Sequence, residues 1–193
     1  MPSPAGRTPA DTSFWSLYGP RDTFDPARSH VIPALIRKMV DARRTGAAAV
    51  EVWGTGRASR EFLYVEDCAR AIALAAERYD AREPVNVGAG SEIRIAELAQ
   101  LIASLCGFGG RLTFNPSLPD GQPRRSLDVS RAEQAFGFHA TTPLEHGLRR
   151  TIAWYERQPD SGPSTHGAWR REPPAPERPR SSSPPSSTSC RKR

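Results

Sequence analysis

Apolar residues at helical spacing, alternating with short apolar runs, restrict most how this chain can fold. Ile32, Leu35, Ile36, Met39 and Val40 recur at i, i+3, i+4, i+7 and i+8, which lays one apolar stripe along a helix. Pro33 suits its first turn and Gly46 its stop. Ala49–Trp53 (AVEVW) then reads as a strand, Glu61–Val65 (EFLYV) as a second extended piece, and the Ala-rich Glu66–Tyr79 as a helix. Pro84–Val87 (PVNV) reads as a strand ending at Gly88, and Arg111–Phe114 as another. Ile95, Leu98, Ile102 and Leu105 mark a helix closed by Gly107. Its expected N-cap, Arg94, carries no acceptor, so only Glu97 remains of a capping box. Ser130 with Glu133 predicts a capped short helix over Arg131–Phe136. Thr142, Pro143 and Glu145 predict a capped start for the last helix, which carries Leu144, Leu148, Ile152 and Tyr155 on one face. Strands that alternate with helices define an α/β class.

The patterning stops near Arg157. Residues 158–193 turn to Pro, Ser and Arg with almost no large apolar side chain after Trp169, and residues 1–16 are similarly poor in pattern. Such segments bury too little surface to offset the entropy of ordering them, so both ends are expected to be disordered. The expected organisation is a leader at 1–16, one folded domain at 17–157 and a tail at 158–193. The formal charge is +6, yet seven basic and three acidic residues lie beyond Gln158, so most of the excess belongs to the tail. A high isoelectric point is then a poor argument for nucleic-acid binding by the folded part. Cys68, Cys106 and Cys190 form no CxxC, and Cys68 and Cys106 sit in apolar stretches that suggest buried free thiols. No metal site is expected. No run of 18 apolar residues and no signal-like start is present, which sets a cytoplasmic expectation without a membrane partner.

Two glycine pairs invite a dinucleotide reading: Gly54-Thr55-Gly56 and Gly88-Ala89-Gly90. A phosphate-holding turn needs a third glycine three residues on, and these positions hold Ser59 and Ile93. Reductases of the short-chain type also need a Tyr with a Lys four residues later, to acidify the phenol. The residues four beyond Tyr18, Tyr64, Tyr79 and Tyr155 are Asp22, Cys68, Glu83 and Pro159, so the pair is missing.

The segment LYGPRDTFDPARSHVIPALIRK at 17–38 resembles the signature of the GDP-L-fucose synthases, within the extended short-chain dehydrogenases. The resemblance continues through VWGTGRASREFLYVEDCARAI, PVNVGAG and LPDGQPRRSLDVSRA, in the order the family has them. It implies the C-terminal, substrate-binding part of that fold, with the Rossmann-like dinucleotide lobe mostly absent. It also implies NADP as cofactor, a GDP-sugar as substrate, and either a homodimer or a separate N-terminal lobe as partner. By the same resemblance His30 stands near the sugar ring as an acid and toward the nicotinamide, and Leu17 lies on the cofactor side. Lys38 contacts the diphosphate, and Trp53, Arg60 and Asp120 line the nucleotide-sugar pocket. The chemistry suits these residue types: a cation forms charge-assisted bonds to a diphosphate, Trp offers a stacking face, and an imidazole titrates near neutrality.

Each residue also has a plainer reading. His30 caps or packs, Lys38 is solvated, Trp53 is core, Arg60 pairs with Glu61 or Glu66, and Asp120 is a turn residue. Two departures stand out. Phe14-Trp15-Ser16 replaces the family's Pro-Thr-Asn, and Leu118 replaces a lysine in Ser-Lys-Pro-Asp-Gly. The expectation is a truncated or mis-framed piece of an epimerase/reductase, inactive alone. The alternatives are a non-catalytic GDP-sugar binding module, a different nucleotide-sugar epimerase or dehydratase, and a basic interaction protein driven by the tail.

Overall fold

A computed structural model describes residues 16–158, so the expectations for the two ends fall almost wholly outside the described residues. The described residues form five helices and seven short strands, in the order β1 (Leu17–Tyr18), α1 (Val31–Thr45), β2 (Ala49–Trp53), β3 (Ser59–Glu61), β4 (Leu63–Tyr64), α2 (Val65–Arg78), β5 (Glu92–Arg94), α3 (Ile95–Leu105), β6 (Arg111–Asn115), β7 (Arg124–Arg125), α4 (Ser130–Phe136) and α5 (Leu144–Glu156). The class is α/β.

β1 runs parallel to β4, with Leu17 opposite Leu63 and Tyr18 opposite Tyr64. β2 runs parallel to β6 from Ala49 opposite Arg111 to Trp53 opposite Asn115. β3 is the centre of a third sheet, antiparallel to β5 and parallel to β7. Successive side chains on a strand face opposite ways, and the β1–β4 pair uses this to divide the molecule. Tyr18 and Tyr64 join a core built mainly on α1, α3, α5 and β2, which includes Ile36, Met39, Leu98, Ile102 and Leu148. Leu63, with Leu17 packed beside it, joins a second core of Cys68, Ala71, Val85, Val87, Ala132, Phe136 and Phe138.

The first core follows the periodicity closely. Ile32, Leu35, Ile36, Met39 and Val40 are all buried on α1, which stops at Gly46 in the left-handed region at φ 68°. Several local expectations are corrected. The extended stretch at 61–65 is two strands, because β3 and β4 turn to different partners. Pro84–Val87 is not a strand; only Val87 forms a bridge. Pro84 lacks an N–H to donate, its carbonyl accepts from Arg131, and Asn86 donates its side chain to the Asp128 carbonyl. The caps also differ. Ser130 is the first residue of α4 rather than its cap, which is Val129, and the Ser130 N–H bonds to the Asp128 carboxylate at 3.0 Å. The Thr142–Glu145 box does not form: the Thr142 N–H goes to Asp67, Glu145 pairs with Arg149, and Pro143 is itself the cap residue. The half box on α3 holds, with Glu97 accepting the Arg94 N–H at 3.3 Å.

Two buried carboxylates tie distant loops together. Asp67, 4 % exposed, accepts from the backbone N–H groups of Thr141 and Thr142 and pairs with Arg70 at 3.1 Å. Burial alone would raise its pKa, but the bonds from Thr142 and Thr141 outweigh that and hold the carboxyl below its usual range. Glu61, 6 % exposed, accepts the N–H of Gly90 and of Leu127, each at 2.9 Å. Cys68 and Cys106 are buried and free, as the sequence suggests; burial raises both thiols, Cys106 to about 12.

Candidate functional site

The loop at 19–30 and the first turn of α1 form one wall of an open cavity of about 710 Å³. The loop is held from several sides. The Asp25 carboxylate accepts from Ala27 and Arg28, Arg37 donates to the Phe24 carbonyl at 2.9 Å, and the Phe24 ring stacks on Tyr155 of α5 at 4.3 Å. Leu17, Asp22, His30, Trp53, Arg60, Asp120 and Arg125 all line this cavity. A smaller adjoining pocket of about 220 Å³ shares His30, Val31, Trp53 and Ile95 with it and adds Lys38. The six residues singled out in the sequence, from four separate segments, therefore line two pockets with a common wall.

His30 is the N-cap residue of α1, but its side chain makes no capping bond; the residue is exposed and lines the cavity. Its capping reading is thus not what the side chain does. Lys38 is not a freely solvated lysine: Nζ donates to the Glu51 carbonyl at 2.9 Å and lies 5.5 Å from the centre of the Trp53 ring. Burial lowers its pKa, with Glu51 opposing. Trp53 is half-buried at the end of β2, with one face toward the lysine.

Arg60 pairs with neither Glu61 nor Glu66. It donates to the Ser59 carbonyl at 2.6 Å and the Asp120 carbonyl at 3.2 Å, while Glu66 takes Arg150. Burial, and then the neighbouring Arg125, lower the Arg60 pKa, partly offset by Asp120. Two guanidinium groups therefore meet on one cavity wall, an arrangement that an anionic ligand relieves. Arg125 was not singled out in the sequence. Its signal is visible in hindsight: Arg124 and Arg125 are adjacent on a strand, so they point opposite ways. Arg124 is bound to Glu92 on the outside, and Arg125 faces in.

Asp120 acts on its own chain. Its carboxylate accepts the Thr55 N–H and the Thr55 hydroxyl, each at 2.6 Å, and these bonds hold its pKa below the usual carboxylate range. Gly54 and Gly56 are both left-handed, at φ 79° and 75°, and a Cβ on Gly54 would collide with the Asp120 carboxylate. The second glycine pair behaves alike: a Cβ on Gly88 would collide with the Glu61 carboxylate, to which Gly90 donates. Each turn therefore wraps an acidic side chain, and neither fits a pyrophosphate.

Among the described residues no cluster of His, Cys, Asp or Glu could hold a metal, and no helix is long and apolar enough to cross a membrane.

Comparison with known proteins agrees with this architecture. The sequence profile of the NAD dependent epimerase/dehydratase family matches residues 13–88. Probable GDP-L-fucose synthase 1 of Oryza sativa subsp. japonica is 47 % identical over 140 residues, which are 72 % of this chain and 42 % of that protein. The crystal structure of a GDP-L-fucose synthetase from Naegleria fowleri superposes with a TM-score of 0.69 at 29 % identity, covering 73 % of this chain and 43 % of that one. The same protein bound to NADP gives a TM-score of 0.67. The fold is that of the extended short-chain dehydrogenases, and residues 13–88 match the NAD dependent epimerase/dehydratase family. Within it, the likeness is to the GDP-L-fucose synthases. The chain spans less than half the length of these relatives.

Proposed function

We propose that residues 17–157 form the nucleotide-sugar-binding domain of a GDP-L-fucose synthase-like epimerase/reductase, a family that converts GDP-4-keto-6-deoxymannose with NADPH. One observation carries this reading: Arg60, Arg125, Trp53, His30 and Asp120 meet in a single cavity, with Lys38 behind a shared wall. Arg60 and Arg125 present cations to the diphosphate. Lys38, beside Trp53, adds a third cation for the diphosphate. The Trp53 ring offers a flat face to a base or sugar. His30 stands at the mouth, where it reaches the sugar ring and the nicotinamide side marked by Leu17. Asp120 shapes the pocket through the Gly54–Gly56 turn rather than by touching the ligand.

NADP is the family's cofactor, but neither described glycine turn fits its pyrophosphate, and no Tyr–Lys pair of the required spacing occurs in the chain. These residues on their own therefore bind and orient the sugar nucleotide; hydride transfer needs groups beyond them.

Calorimetry with GDP tests the reading. The 193-residue chain should bind GDP, and Lys38→Ala or Arg60→Ala should each weaken binding. Loss of one charge-assisted bond costs roughly 1.5–3 kcal/mol, about tenfold or more. Equal GDP binding by the wild type and both variants would remove the assignment. The chain alone should not oxidise NADPH with GDP-4-keto-6-deoxymannose; turnover above a no-protein control would overturn the division of labour.

A further inference from the structure

Asp22 sits on the cavity wall, eight positions before His30, at the other end of the same loop. It plays no part in the reading above. Its backbone is tightly set: the Asp22 N–H bonds to the Gly19 carbonyl at 3.3 Å, and the preceding residue, Arg21, is held at φ 70°. A non-glycine residue in the left-handed region is strained and persists where the surroundings impose it, often at functional sites. One carboxylate oxygen, Oδ1, accepts the Thr23 N–H at 2.7 Å. The other, Oδ2, is buried and has no hydrogen-bond partner.

A buried carboxylate oxygen without a donor is costly unless a cation or N–H reaches it. The charged groups on the cavity wall besides Asp22 are His30 on α1, Arg60 on β3, Asp120 before β7 and Arg125 on β7. Asp120 is itself an acceptor and is taken by Thr55. Arg60 is bound to the Ser59 and Asp120 carbonyls and faces Arg125. His30 makes no side-chain cap and shares the cavity with Asp22.

We propose that Asp22 is a positioning residue for His30: its buried, unpartnered Oδ2 receives an imidazole N–H and holds the ring toward the nucleotide-sugar cavity. Electrostatics agree with the pairing. Burial raises the Asp22 pKa, while the Thr23 N–H and then the charge of His30 pull it down. His30 is the charged side chain that lowers this carboxyl. The inference rests on the nucleotide-sugar reading only for its purpose; the titration below tests the pair without any ligand.

The test is the carboxyl titration of Asp22, followed by NMR on ¹³C-labelled 193-residue chain. The charge of His30 is among the causes that lower the Asp22 carboxyl. His30→Gln removes that charge, so the Asp22 midpoint should rise, by about half a unit or more for a neighbour a few ångströms away. His30→Arg keeps a cation and should leave the midpoint near the wild-type value. A merely structural role for Asp22 predicts no such split between the two variants. An Asp22 midpoint that is the same in the wild type and in His30→Gln overturns the proposal, as does an equal rise in both variants. GDP calorimetry on the same samples separates the two claims: absence of GDP binding sinks the nucleotide-sugar reading, whereas the titration alone decides the pair.

Discussion

The two cores on either side of the β1–β4 wall are built differently. In the first, helix stripes of Ile, Leu, Met and Val interlock: Ile36, Met39, Val40, Leu98, Ile102 and Leu148 are each fully buried. In the second, α2 buries only Asp67, Cys68 and Ala71, and it leaves Ile72 53 % and Val65 39 % exposed. What the second core lacks in apolar interlock it replaces at its edges with polar ties. Asp67 holds Thr141 and Thr142, Arg70 donates to the His139 carbonyl, and Arg131 donates to the Pro84 carbonyl. The cavity grows out of the first core, from the ends of α1, β2 and β3. A site that must hold side chains from four segments in register is thus carried by the part of the molecule with dense, non-directional packing.

The sharpest test of this contrast is a cavity cut into each side. Ile36→Ala should cost about 2–5 kcal/mol in equilibrium denaturation, since a fully buried residue leaves a hole its neighbours fill only in part. A cost below about 1 kcal/mol would mean that the first core is not tightly packed. Next in size is Asp67→Ala. It strands the Thr141 and Thr142 N–H groups and should cost roughly 1–3 kcal/mol. Hydrogen exchange should show the 139–142 segment loosening before α1. Exchange that rises uniformly would show that the tie is not local to the second core.

A smaller effect belongs to the third sheet. Arg124 and Ser59 hydrogen bonds hold Glu92 down to about 2, below its ordinary 4.5. A depressed carboxylate contributes stability above its unfolded pKa and loses it as pH falls through the folded value. Glu92→Gln should therefore lower neutral stability modestly and flatten the loss of stability between about pH 4.5 and pH 2, so that variant and wild type converge in acid. An unchanged acid limb in the variant would remove the Arg124–Glu92 tie from the account. Smallest of all, Ile72→Ala, at an exposed position of α2, should stay within about 0.5 kcal/mol. A cost of 2 kcal/mol or more, as expected for burial, would show that the α2 face is covered in solution.

Much of the first core was legible in the residues themselves. The α1 stripe, the Ala49–Trp53 strand and the Gly46 stop are local: they depend on spacing along one segment and on backbone geometry that glycine alone adopts freely. The missing third glycine of each glycine pair is likewise a local fact. The second core was less legible because its decisive contacts are long-range. No spacing rule connects Asp67 to Thr142, so a capping box was expected where the Thr142 N–H serves another element. Pro84–Val87 looks like a strand by composition, but a ladder needs a partner, and only the assembled chain decides whether one stands alongside.

The site divides the same way. The amino-acid sequence determined which chemical groups are available: an imidazole before a helix, a lysine one turn pair later, an indole at a strand end, and arginines on short strands. It also carried the family pattern that singled out His30, Lys38, Trp53, Arg60 and Asp120. Only the tertiary structure decided what those groups do to one another. Lys38 lies against Trp53, Asp120 spends both oxygens on Thr55, Arg125 turns inward while Arg124 turns out, and Asp22 keeps a buried oxygen without a hydrogen-bond partner. The physical reason is reach: a side-chain bond acts over about 3 Å, and residues separated by tens of positions come that close only through the packing of the elements that carry them.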